Sequence, residues 1–271
     1  MTRRTAEWIC TILLWATPGF AQSASREAQS AAREDRIEPD RPDVTNSAKL
    51  VPPRHFQLEA GGTDTRMSSA LSSFGSPVLA RLGVSDWIEA RIGVDGWVER
   101  AVGRDRESGF GNIQAGAKLR LVSDSAGTPV LSAIPMINLP TASASKGLGS
   151  GEADFTLTLA GGADLGARGH VDANYGVGNI GAGGGQRRFT QHLVSVSGSV
   201  SAGRWDPYAE LFWFSAQEFG GSGVAALDVG TSCHLRDRLT VDGGLQVGLS
   251  HAAPTFSLFA GVSLGFKHAA H

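Results

Sequence analysis

The chain is poor in cysteine and tyrosine, with two of each in 271 residues, and it has almost no excess of either charge: 24 Lys and Arg stand against 26 Asp and Glu. Balanced charge excludes the basic surface with which a nucleic-acid-binding protein displaces phosphate counterions, so no nucleic acid is expected as a partner. No stretch after residue 21 approaches the ~18 to 20 consecutive apolar residues that a membrane-crossing helix requires, which excludes a helical membrane bundle. The 36 glycines follow no three-residue period, which excludes collagen. They also speak against a helical protein, since an interior glycine costs about 1 kcal/mol relative to alanine. What remains is a chain that is mostly β or disordered.

What is present begins with an export signal. Arg3 and Arg4 precede a short apolar run, Trp8 to Ala16, which Thr17-Pro18 breaks; Gly19 and Ala21 put small residues where a signal peptidase reads. Residues 1–21 are therefore expected to be a signal peptide, cleaved before Gln22. The mature chain keeps 22 basic and 25 acidic residues and a single thiol, Cys233. An exported protein with one cysteine has no internal disulfide to hold it. Residues 22–53 are rich in Ala, Ser, Arg, Asp and Glu, with Pro39, Pro42, Pro52 and Pro53 in the second half. With almost nothing apolar to bury, this stretch reads as a flexible leader.

From Arg54 onward the texture changes to alternation of period two. Leu239, Val241, Leu245 and Val247 alternate with Thr240, Asp242, Gly244 and Gln246; Val171, Ala173, Tyr175 and Val177 alternate with His170, Asp172, Asn174 and Gly176. Successive side chains on a strand point to opposite faces, so each segment has an apolar face and a wet one. About twelve such segments begin near residues 54, 75, 87, 111, 129, 153, 168, 191, 205, 223, 238 and 255. Pro135 makes the fifth the least regular, because proline removes a ladder donor. Long connections (65–74, 100–110, 140–151, 180–189) alternate with short ones until the last, 251–253. That segregation is a barrel's, with short periplasmic turns and longer outer loops.

Charge decides which solvent bathes the apolar faces. Ile88, Ala90, Ile92 and Val94, or Val194, Val196 and Val200, stand with no charge among them. The wet faces carry Glu59, Arg81, Glu89, Arg91, Lys118, Arg120, Asp172, Glu210, Asp228 and Asp242. A charge on a lipid face near the midplane costs ~2–4 kcal/mol. The reading is an all-β, transmembrane antiparallel up-and-down β-barrel of about 12 strands over residues 54–271, preceded by the flexible N-terminal leader. Outer-membrane lipid is its surroundings, and Trp87, Trp97, Phe110, Trp205, Trp213 and Phe266 fall near strand ends as interfacial girdles. The ten charged residues are candidates for lining a lumen, where mixed charges tune which solutes pass or else pair across strands and fill the interior.

No catalytic constellation emerges. Gly176 to Gly181 matches a dinucleotide-binding glycine pattern without the helix that pattern needs, and Gly261 to Gly265 matches a nucleophile elbow inside an alternating strand. The seven histidines show no ligand-like spacing, and His170 reads as a solvated residue on a wet face. His192 and Ser195, three apart, face opposite sides. No enzyme activity, metal or cofactor is expected.

Asp40-Arg41-Pro42-Asp43-Val44-Thr45, then Leu50-Val51-Pro52-Pro53 and His55 to Gly61, resembles the opening of an outer-membrane family labelled for the meta pathway of phenol degradation and described as transporters. Leu82 to Arg91, Asn112 to Leu121 and Ile137 to Thr141 agree with it; Pro53-Arg54, where the family has glycine, and the tail Lys267 to His271 depart from it. The resemblance implies a barrel that moves small, aromatic compounds and is assembled by the barrel-assembly machinery. It also implies a role for Asp40, Arg41, Pro42 and Asp43 as a motif tucked against the barrel rim or into the lumen. Two functions follow: a small-molecule channel with a charged lumen, or a non-conducting structural barrel acting through its loops.

Overall fold

The computed structural model describes residues 36–41, 44–123 and 129–267; the expected signal peptide, the first part of the leader, Pro42 and Asp43 lie outside the described residues. The alternating segments form β1 (His55–Arg66), β2 (Leu71–Gly75), β3 (Val78–Ser85), β4 (Ile88–Val94), β5 (Trp97–Val102), β6 (Asp105–Phe110), β7 (Ile113–Val122) and β8 (Val130–Leu139). After a three-residue 3-10 turn come β9 (Asp154–Leu165), β10 (Gly169–Ile180), β11 (Phe189–Val200), β12 (Trp205–Phe214), β13 (Val224–Arg236), β14 (Leu239–Gly248) and β15 (Phe256–Lys267). All fifteen lie in one antiparallel sheet, and β15 returns to β1 to close it. That last seam is unbroken, from His55 opposite Lys267 to Arg66 opposite Phe256. Closure leaves no unpaired edge along it, as a lipid solvent requires of strands.

Three of the spans are tandem strands: β2 with β3, β4 with β5, and β6 with β7. Twelve spans result from the fifteen strands. The breaks at Ser76-Pro77, Asp95-Gly96 and Gly111-Asn112 lie side by side and are stitched together. Ser76 N–H donates to Trp97 O at 3.0 Å, Gly111 N–H to Gly96 O at 2.9 Å, and Asn112 N–H to the Asp95 carboxylate at 2.9 Å. Gly96 sits at φ 64, and a Cβ there would lie 1.9 Å from Ser76 O, so the crossing admits no side chain. Beyond the breaks, β2, β5 and β6 continue the sheet outward beside the end of β1.

This corrects two expected loops. Most of 65–74 and of 100–110 is strand, and β5 turns into β6 through Gly103 and Arg104 alone. The final connection spans 249–255, longer than the alternation alone suggested, and so joins the long outer set. Pro135 lies inside β8, opposite Leu157 of β9; on its other side the β7 ladder passes from Gly116–Met136 to Leu119–Ala133 with no pair at Pro135. The missing donor therefore falls where no ladder bond is made.

The outer surface is apolar. Ile92, Val194, Leu211 and Leu258 are 59%, 49%, 49% and 54% exposed. Trp87, Trp205 and Phe266 stand at the end of the short turns, and Trp97, Phe110 and Trp213 toward the other, with Trp97 and Phe110 edge to face at 5.6 Å. Val196 faces outward midway along β11, between Ala173 and Leu211. Val196→Arg is expected to lower unfolding stability in lipid by about 2–4 kcal/mol, read by urea titration in vesicles.

Candidate functional site

Alternation that turns Leu, Val and Ile outward turns the other residues of each strand inward. All ten charged candidates lie on this inner face. Glu59, Arg81, Glu89, Lys118, Glu210 and Asp228 are at most 2% exposed, Arg91 and Asp242 at most 9%, and Arg120 and Asp172 are half-buried. Buried charges are tolerated only when paired, so their partners define the site.

Many of those partners belong to the leader, which sequence reading left with almost nothing to bury. At the short-turn rim, Arg36 Nη1 donates to Gly203 O at 3.2 Å and Ile37 N–H to Asp237 O at 3.0 Å. The chain then runs into the lumen, where Asp40 is 8% exposed. Lys118 Nζ reaches the Asp40 carboxylate at 2.9 Å, Arg91 at 2.6 Å and Arg81 at 3.6 Å. Arg81 also pairs with Glu59 at 3.0 Å and Glu89 at 2.8 Å, and Arg91 with Glu89 at 3.3 Å. Three acids and three bases thus form one neutral network. One of the acids, Asp40, comes from the leader.

From Val44 onward the leader lies against the opposite wall. Glu210 accepts the N–H of Val44 at 3.0 Å, the N–H of Thr45 and the Thr45 hydroxyl. The Thr45 hydroxyl also meets Ser195 at 2.8 Å. Asn46 exchanges bonds with Asn174, its N–H donating at 2.7 Å and its O accepting at 2.9 Å. Ser132 Oγ donates to Ala48 O at 2.5 Å, and Val51 N–H donates to Glu89 at 2.7 Å as the chain returns toward β1. Residues 36–41 and 44–51 are thus held by side chains of β1, β3, β4, β7, β8, β10, β11 and β12. Backbone groups with no strand partner must find side chains, and the polar wall supplies them.

Arg41 has a seat of its own. Its Nη2 donates to Asp242 at 3.4 Å and to Ala260 O at 3.3 Å. The guanidinium lies over Gly61 and Gly261, which face each other across the closing seam. A Cβ at Gly61 would meet Nη2 at 2.1 Å, and one at Gly261 would meet Nε at 2.5 Å. The sequence marked Gly61 only as the end of the family-like opening and Gly261 only as part of an elbow-like pattern, and nothing in it joined the two.

Beyond the leader, toward the long loops, a cavity of about 270 Å³ remains. Arg41 and Asn46 of the leader line it with Arg91, Gln114, Thr156 and Thr158, and Val78, Leu79, Ile134 and Met136 give it an apolar side.

The other singled-out residues do not join this site. His170 is not merely solvated: its ring lies between Asp164 at 2.7 Å and Asp172 at 3.1 Å. His234 bridges Asp206 at 2.7 Å and Thr240 at 2.9 Å, but Thr240 is fully buried and offers no accessible nucleophile. Gly176–Gly181 spans the end of β10, and Gly261–Gly265 lies within β15. Among the described residues, no group of three or more His, Cys, Asp or Glu could hold a metal ion.

The fold has solved relatives. An outer membrane channel from Pseudomonas putida F1 superimposes with a TM-score of 0.64 at 14% identity, over 85% of this chain and 100% of that one. NanC porin gives 0.55 at 8% identity, over 77% and 98%, and KdgM porin gives 0.51 at 10%, over 78% and 99%. At such identities the likeness is one of fold: an outer-membrane β-barrel. No curated protein matches the chain. The family model described as "Putative MetA-pathway of phenol degradation" matches residues 39–266, from the leader beside Asp40 to the last turn of β15's ladder. The chain therefore belongs to this MetA-pathway phenol-degradation family.

Proposed function

We propose that the chain is an outer-membrane channel for small molecules, with the lumen as the path and the leader as its narrowest element. The observation that carries this reading is the cavity of about 270 Å³ inside a closed barrel, walled by both polar and apolar side chains. A barrel of about 8 strands is filled by its own side chains, whereas one of 16–18 leaves an aqueous channel. Twelve spans lie between, with room for one strand-width of extra polypeptide and some residual space. The family's description supports aromatic compounds as the solutes, and export by residues 1–21 with delivery to the assembly machinery completes the reading.

The second reading, a non-conducting barrel acting through its loops, draws on the leader's bonds around the lower lumen. Planar-bilayer recording of the mature chain separates the two. Small discrete current steps that scale with salt are expected; a flat trace at every voltage would overturn the channel.

A further inference from the structure

Two arginines, Arg41 and Arg91, and two carboxylates, Glu59 and Asp95, border the cavity beside a greasy side wall, and their engagement selects a chemistry. Arg91 gives Nη1 to Asp40 and Glu89 and Nη2 to Asn46 Oδ1 at 3.2 Å; Arg41 gives Nη2 to Asp242 and Ala260 O. Each of these two arginines keeps a buried Nε–H with no hydrogen-bond partner among the described residues. Arg91 is 5% exposed, so its idle donor is not one that bulk water serves.

The two carboxylates that border the same cavity are already engaged. Glu59 accepts from the N–H groups of Asp40 and Arg41, from Gln57 Nε2 at 2.9 Å and from Arg81 at 3.0 Å. Asp95 accepts from Asn112 N–H at 2.9 Å and Gln114 Nε2 at 3.1 Å. Among the described residues that border the cavity, the donors left without a partner are therefore the Nε–H groups of the two guanidiniums. A guanidinium fork matches a carboxylate in shape and charge. Above it, Val78, Leu79, Ile134 and Met136 offer an apolar surface, and Thr156 and Thr158 limit the width.

We infer that this cavity is a binding subsite for small monocarboxylates with a compact apolar body, the carboxylate on Arg91 and Arg41 and the body on the Ile134–Met136 side. Its volume of about 270 Å³ lies just below the ~300–1,000 Å³ of drug-sized sites, so it takes one small molecule and not an oligomer. The inference rests on the channel reading for its purpose, since the subsite would sit on the path.

Isothermal titration of the mature chain in detergent tests it with benzoate, benzyl alcohol, benzylammonium and acetate. Benzoate is expected to bind saturably, and the other three at least tenfold more weakly. Thr156→Trp, which fills the cavity from β9 without touching a leader bond, is expected to abolish benzoate binding. Arg91→Gln is expected to weaken it at least tenfold. Equal binding of benzylammonium, no benzoate binding to the wild type, or benzoate binding unchanged by Thr156→Trp would each overturn the subsite. Bilayer recording of the same preparations keeps the two readings apart. A silent barrel that still binds benzoate loses the channel and keeps the subsite, and a conducting barrel that ignores benzoate does the reverse.

Discussion

Deleting residues 36–49 is expected to raise single-channel conductance several-fold in planar bilayers. The deleted stretch removes the backbone that crosses the lumen between Asp40 and Glu210, while every strand of the barrel wall stays in place. Selectivity should change with it. The ten wall charges comprise six acids (Glu59, Glu89, Asp172, Glu210, Asp228, Asp242) and four bases (Arg81, Arg91, Lys118, Arg120), a net of −2. The leaderless lumen should therefore favour cations. That preference should fade as salt rises, because the Debye length falls from about 10 Å at 0.1 M to about 3 Å at 1 M. Reversal-potential measurements under a KCl gradient give the sign. Unchanged conductance would mean that the leader does not define the constriction.

The second large effect is expected at Asp40→Asn, which keeps the side chain's shape and removes its charge. Lys118 is fully buried and reaches both Asp40 oxygens at 3.0 and 2.9 Å; its other partners are the carbonyls of Ser47 and Lys49, at 2.7 and 3.2 Å. All of these partners belong to the leader. Removing one partner of a buried pair costs about 3–5 kcal/mol, because the other charge is left without compensation. Here the molecule has a way out: the leader can leave its seat and let water reach Lys118. The observed loss is therefore capped by the cost of undocking. Asp40→Asn should lower the barrel's unfolding temperature and also show intermittent high-conductance openings. Adding Lys118→Met should recover much of the stability. If Asp40→Asn unfolds like the wild type, the network is not what holds the leader.

How much of this could be read beforehand follows from which solvent writes the pattern. Lipid enforces alternation wherever a strand crosses it, so the spans from β7 to β15 and the inward placement of Glu210 or Asp242 were legible one residue at a time. Above the lipid that pressure stops. Asp105, Arg106 and Glu107 of β6 are successive exposed charges, and the β5–β6 hairpin was accordingly read as loop. The leader was hidden for another reason. Its burial is polar, made by pairs such as Thr45 with Glu210 and Arg41 with Asp242 that lie 165 and 201 residues apart in the chain. No local periodicity carries such a partnership. Composition, which counts apolar groups, scores the segment as having nothing to hide. The one hint was the Asp40-Arg41 element itself, two opposite charges set among prolines just ahead of the first strand.

The seat of Arg41 bears on how the molecule is made. Its floor is half Gly61, from the first strand synthesised, and half Gly261, from the last, and its counterion Asp242 belongs to the penultimate strand. Asp242 and Gly261 already meet in the β14–β15 hairpin, but Gly61 joins them only when the sheet has sealed. The N-terminal segment, though first to emerge, has nowhere to settle while the cylinder is still open, and a C-terminally truncated chain could never complete the nest. Docking of the leader is thus a built-in report that biogenesis has finished.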